Sequence, residues 1–300
     1  MNKDKQKLSV VIASVNGFPI IGECLDSLHN QREIEGGEVV VANRCKNGTG
    51  EVLKQKYPWI KFIEAPPQTP IPHLRAMAIQ ETTGDIVAVL EDHCIVDTDW
   101  ARCMIEAHCS DYPVIAGPLR NAACDRLVDW AAFFCEYSQF MYPMPEGEVE
   151  NIPGNNVAYK RWVLEHFRNL VEAGVWDTIL HEHIRREHLP LLLISSVTAG
   201  HKMSASFWWF MTQKFYFARS FAGMRFASSS YFRRVLYSAG SFFLPFIVLR
   251  RIFLQVWRRG TCWREFLLSM PFLILLLFSW GIGEAVGYIL GAGSSEAKVA

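Results

Sequence analysis

Short runs of β-branched residues alternate with segments of helical spacing over the first ninety positions, and no other feature restricts the fold as tightly. Residues 8–15 (LSVVIASV) and 38–42 (EVVVA) are strand-like, while 18–30 set Ile20, Ile21, Cys24, Leu25 and Leu28 on one helical face. Residues 59–64 (WIKFIE) and 86–90 (IVAVL) read as further strands, separated by the Pro-rich connection APPQTPIP and a helix around 73–82. Strands joined by crossover helices pair in parallel, so the expected fold is α/β: a mostly parallel sheet with helices on both faces. Ligands of such sheets bind beyond the carboxyl ends of the strands, so Ser14 to Gly17, Asn43 to Lys46 and Glu91 to His93 are expected to converge.

With 300 residues, half of them hydrophobic, the chain can bury a core large enough for an enzyme. Thirty basic and thirty acidic residues cancel, which removes the cationic field that nucleic-acid binding requires. Eight cysteines without a CxxC pair read as reduced thiols of a domain facing the cytoplasm. The opening MNKDKQKLSV lacks the apolar stretch of a signal peptide, so export of this domain is not expected, and the acceptor-like Asn47-Gly48-Thr49 is discounted.

Beyond about residue 206, aromatic and apolar residues crowd together and no acidic residue appears until Glu265. Seven arginines (233, 234, 250, 251, 258, 259 and 264) punctuate this region. The apolar stretch 235–249 spans roughly 22 Å, short of a hydrocarbon core of about 30 Å, so 235–257 is expected to be interfacial or re-entrant. Residues 266–290 reach roughly 38 Å with one charge, Glu284, and are expected to cross the membrane once, leaving the arginines in the cytoplasm. A two-crossing hairpin ranks second. The division expected is a catalytic domain over 1–230 and a membrane-associated region over 231–300, held at an inner or plasma membrane. Gly283, Gly287 and Gly291 recur every fourth residue, a stripe that would let the helix of a second copy approach closely in a homo-oligomer.

The order of these features resembles the family 2 glycosyltransferases, whose catalytic domain has the GT-A fold, over about residues 8–225. The strand ending in LSVVIASVNG matches the family's opening, with Ser14 and Asn16 as donor-binding candidates. The family's Asp-Asp-Gly-Ser-like loop is represented by Ala42 to Thr49, where both acidic positions are changed, which leaves the donor's base open, and Asn43 joins the donor-binding candidates. Arg75, in Leu74-Arg75-Ala76, corresponds to a donor-binding position, and Thr83-Gly84-Asp85 precedes the next strand. In Glu91-Asp92-His93, Glu91 and His93 occupy the two acidic positions of an Asp-x-Asp metal motif, and Asp92 joins the donor set. Carboxylate and imidazole both bind manganese-type ions, so the resemblance implies a divalent cofactor, Mn2+ or Mg2+.

Gly154 to Arg161 resembles the segment lining the family's cleft, with Asn156 a candidate contact to sugar hydroxyls. The family's catalytic Glu-Asp motif falls on Val175-Trp176-Asp177, making Asp177 the candidate general base, with Glu182 and Glu172 as alternatives and a simple helix cap as the structural one. His201 matches a histidine expected to be a third metal ligand or a diphosphate contact. His181, His183 and His188 share no helical face and read as a solvated surface. Arg219 and Arg225 would clamp a donor diphosphate or meet anionic lipid headgroups. The function implied is inverting transfer from a nucleotide-sugar donor to a lipid-linked or saccharide acceptor beside membrane lipid. The alternatives are a polyprenyl-phosphate sugar synthase and an inactive saccharide- or nucleotide-binding scaffold.

Overall fold

A computed structural model describes residues 6–31, 36–46, 48–226 and 228–299, so Asn47 lies outside the described residues. The chain forms two compact units: 1–120 with 142–202, and 121–141 with 203–300.

In the first unit, β1 (Leu8–Ser14), α1 (Ile20–His29), β2 (Glu38–Asn43), α2 (Thr49–Lys56), β3 (Lys61–Glu64), α3 (Ile71–Gln80) and β4 (Ile86–Glu91) follow the expected alternation. Then come β5 (Cys94–Val96), α4 (Trp100–His108), β6 (Val114–Ala116) and β7 (Leu119–Asn121). The chain leaves for α5 (Leu127–Tyr137) of the other unit and returns as β8 (Gly147–Glu148), β9 (Asn156–Lys160), α6 (Arg161–His166), α7 (Arg168–Glu172), α8 (Asp177–Arg186), β10 (Leu191–Leu193) and β11 (Ala199–His201).

The eight-stranded sheet has the order β3-β2-β1-β4-β9-β6-β10-β8, and a second sheet pairs β5-β11-β7. Pairing is parallel from β3 through β4 and between β6 and β10, as the crossover helices require. β9 departs from that rule: it runs antiparallel to both β4 and β6. Because Asn156 pairs with Leu90, β9 begins at the carboxyl end of β4, and the residues just before it are delivered to that end. β1, β2 and β4 bury their apolar side chains almost completely, as strands covered on both faces must.

The second unit is helical: α5, α9 (Phe207–Arg225), α10 (Tyr231–Gly240), α11 (Leu244–Arg259) and α12 (Trp263–Leu290). A short 3-10 turn at Ser241–Phe243 joins α10 to α11, so the helical run covers Tyr231–Arg259, 29 residues, and extends well beyond the apolar stretch at 235–249. That run and α12 are each long and apolar enough to cross a membrane by length and composition. The glycine stripe serves this unit internally: a Cβ on Gly283 would meet the Phe215 carbonyl at 2.5 Å, and one on Gly287 the Arg219 carbonyl at 2.5 Å. Both glycines are thus used to seat α12 against α9 and are not left for a second copy.

Candidate active site

The three expected loops do converge. The Ser14 hydroxyl donates to Asn43 Oδ1 at 3.0 Å. The Val15 and Asn16 backbone N–H groups both donate to Asp92 Oδ2 at 2.8 Å, and Asn16 Nδ2 donates to Asp92 Oδ1 at 2.8 Å. Asp92 therefore ties the turn after β1 to the end of β4, and its carboxylate is wholly buried.

Beside it, Glu91, His93 and His201 point at one another. β11 pairs antiparallel with β5, setting His201 opposite Cys94, one residue from His93. The two Nε2 atoms face each other at 2.7 Å with ring planes at 85°, and Glu91 Oε2 lies 3.3 Å from one and 3.7 Å from the other. His93 Nδ1 meets Asp92 Oδ1 at 3.0 Å, which orients the ring so that Nε2 faces the cluster. Burial alone would lift the Glu91 carboxyl, but the hydrogen bond and charge of His93, with Arg75 and His201, hold it well below the usual carboxylate range. Burial opposes charge on His93 too, yet hydrogen bonds to Asp92 and Glu91 push it up to about 10. Two imidazole nitrogens and a carboxylate oxygen, all within 4.8 Å of one another, suit a divalent cation, whose ligand atoms sit roughly 3 Å apart around bonds of about 2.1 Å.

Arg75, on α3 and only 8% exposed, links this cluster to the first residue of α8. Its Nη1 donates to Asp177 Oδ1 at 2.9 Å and its Nη2 to Glu91 Oε1 at 3.3 Å. Asn155 Nδ2 donates to Glu91 Oε2 at 2.8 Å, and Asn155 Oδ1 is buried without a hydrogen-bond partner among the described residues. Gly154 leaves room for the base candidate: a Cβ there would collide with the Asp177 carboxylate.

A family model described as glycosyl transferase family 2 matches residues 9–166, more than half of the chain. The chain belongs to glycosyl transferase family 2. No curated protein matches it. Among solved structures, GalNAc-T7 with UDP, GalNAc and Mn2+ aligns at 15% identity and TM-score 0.52, over 68% of this chain and 45% of that one. S. aureus TarS aligns at 17% identity and TM-score 0.50, over 69% of this chain and 38% of that one. The mannosyltransferase PcManGT from Pyrobaculum calidifontis, in complex with GDP-Man and Mn2+, aligns at 15% identity and TM-score 0.49, over 97% of this chain and 76% of that one. The chain spans less than half the length of GalNAc-T7 or TarS. The likeness to GalNAc-T7 and TarS shows the fold, a GT-A-like mixed α/β sheet, and long helices follow it in this chain.

Other residues singled out in the sequence make contacts of their own. Asn156 is fully buried: Oδ1 accepts from Trp100 Nε1 at 2.9 Å, and Nδ2 donates to the Val197 and Pro118 carbonyls at 2.7 and 3.2 Å. It supports the sheet, and its neighbour Asn155 reaches Glu91 in its place. Asp92 likewise spends its carboxylate on the loop and presents none of it to solvent. Asn43 is consumed between Ser14 and the Cys45 carbonyl, the latter at 3.2 Å. Glu182 pairs with Arg186 at 2.7 Å on an exposed flank of α8, and Glu172 is exposed at the end of α7. His181 is buried with Nε2 2.6 Å from the Tyr159 hydroxyl, so the histidine patch is not a solvated surface throughout. Arg219 and Arg225 stand on α9 in the helical unit, where Arg219 Nε donates to the Gly291 carbonyl at 3.2 Å and Arg225 lies 5.7 Å over the Phe221 ring.

Proposed function

We propose that the chain is a metal-dependent inverting glycosyltransferase that moves a sugar from a nucleotide-diphospho-sugar to a lipid-linked or cell-surface saccharide at a membrane. The carrying observation is the pair of imidazole nitrogens 2.7 Å apart with the Glu91 carboxylate beside them. Without a cation one nitrogen must hold a proton against the other, whereas a cation satisfies both lone pairs and the carboxylate at once. Glu91, His93 and His201 would hold it, and two nitrogen donors favour Mn2+ over the harder Mg2+. Bound there, the ion supplies charge neutralisation for the departing nucleoside diphosphate. The fold shared with GalNAc-T7, solved with UDP, GalNAc and Mn2+, supports the donor class.

The rest belongs to the chain's own side chains. Asp177 accepts the proton of the acceptor hydroxyl as that oxygen attacks the sugar carbon from the face opposite the leaving phosphate. Arg75 holds Asp177 Oδ1 and Glu91 Oε1 at fixed spacing, so base and cation ligands form one rigid frame.

The deciding experiment measures nucleoside diphosphate release over a panel of nucleotide-sugar donors with membrane-extracted acceptors. Turnover that requires Mn2+ and disappears in His93→Ala and His201→Ala is expected. Turnover indifferent to chelator and to both substitutions would overturn the reading.

A further inference from the structure

The helical unit has a defined direction. α10 and α11 run antiparallel to α12: Arg234 Nε donates to the Tyr288 carbonyl, Ser238 to that of Ala285, and the rings of Phe246 and Phe278, then Phe253 and Trp263, meet in turn. α9 runs parallel to α12: Ser279 donates to the Met211 carbonyl, Gly283 faces Phe215, Gly287 faces Arg219, and Gly223 faces Ala292. The chain therefore reaches the Arg219 to Arg234 end of this bundle only along α9. If α12 crossed a bilayer, α9 would cross beside it and carry Gln213 and Lys214 into hydrocarbon. Lys214 is moreover ion-paired with Glu136 of α5, so a second charge would be drawn in with it.

The arginines say the same. A crossing bundle concentrates its basic residues on one side, but here Arg219, Arg225, Arg233 and Arg234 occupy one end and Arg258, Arg259 and Arg264 the other. Arg250 is exposed part-way along α11, and the uncharged stretch 235–249 before it spans only about 22 Å against a core of about 30 Å. Meanwhile one flank is strongly apolar: Phe246 (57% exposed) touches Phe278 (37%), among exposed Phe243, Ile247, Leu275 and Ile282.

We propose that the α10–α12 hairpin is a monotopic anchor lying in the plane of one leaflet of an anionic bilayer. The apolar flank sinks among acyl chains, both arginine ends engage phosphates of that same leaflet, and no segment crosses.

The test is sidedness in sealed membrane vesicles of both orientations, using the full chain with one epitope after Ala300 and another inserted between Gly260 and Thr261. Both tags and the catalytic unit are expected to be digested from the same face. Protection of either tag when the catalytic unit is cut, or the reverse, overturns the proposal. Should the inserted tag disturb folding, trypsin digestion of the untagged chain in the same vesicles, read by mass spectrometry, tests cuts at Arg258, Arg264 and Lys298 for access from that one face. With purified full chain, Arg233→Ser and Arg250→Ser are each expected to weaken binding to phosphatidylglycerol vesicles about fivefold and leave binding to phosphatidylcholine vesicles unchanged. A chain that self-associates through this flank and ignores vesicles also overturns it. None of these readouts depends on sugar transfer, so they stand or fall apart from the enzymatic reading.

Discussion

Glu91, His93 and His201 form a cluster because each is delivered by a different constraint: the end of β4, the turn that Asp92 fastens, and the pairing of β11 with β5. On the proposed function, removing either imidazole takes away a cation ligand, and His93→Ala or His201→Ala is expected to lower kcat/KM on the order of 10³-fold, measured as Mn2+-dependent nucleotide release. Asp177→Asn is expected to lower kcat by about 10²- to 10⁴-fold, while Glu182→Gln, at an exposed Arg186 pair, stays within about twofold of the parent. Equal losses at both positions would reject Asp177 as the base. Asp92→Asn keeps the shape but removes a charge that accepts from two backbone N–H groups, so a loss of about 1–3 kcal/mol in unfolding stability is expected in a denaturant titration.

At the scale of elements, close helix approach and burial set the sensitivities. Gly283→Leu and Gly287→Leu would drive side chains into α9 backbone and are expected to cost at least about 1–3 kcal/mol, seen as a lowered Tm in detergent, whereas Gly240→Ala, with open space around its Cβ position, is nearly silent. Two helices carry buried histidines held neutral: burial depresses His108 on α4 and His181 on α8 to about 4, from 6.5. A depressed histidine stabilises the fold fully above about pH 6.5, and that stability is lost as the pH falls toward 4. Tm is therefore expected to decline progressively over that window, and His108→Asn or His181→Gln to flatten the decline; a profile unchanged by both substitutions would contradict the assignment.

For the molecule as a whole, the proposed cation would couple the site to global stability. Since a metal held only by the folded state stabilises by about 2.7 kcal/mol at a hundred times its Kd, millimolar Mn2+ is expected to raise the Tm of the catalytic unit by a few degrees, EDTA to reverse this, and His201→Ala to abolish it. The proposed lipid-facing surface is likewise a property of the whole helical unit, because no single helix reveals that α9 runs alongside α12.

The β-branched runs and their helical spacers determined the parallel half of the sheet, since that period and those connections admit few alternatives, and the same pattern placed Ser14, Glu91 and His93 near one end of it, while Arg75 was indicated only by the family resemblance. Long-range pairing decided the rest. β9 begins at the carboxyl end of β4, so Asn155 and not Asn156 meets Glu91; the residues are adjacent in Gly154-Asn155-Asn156, and only strand phase separates them. Gly154 opens the motif matched in the sequence, but the reason for a glycine there lies in an Asp177 carboxylate that approaches from another element. The apolar content of the last hundred residues likewise spoke for lipid, while the direction of each helix, on which spanning or lying flat depends, is set by contacts between helices that local composition does not encode.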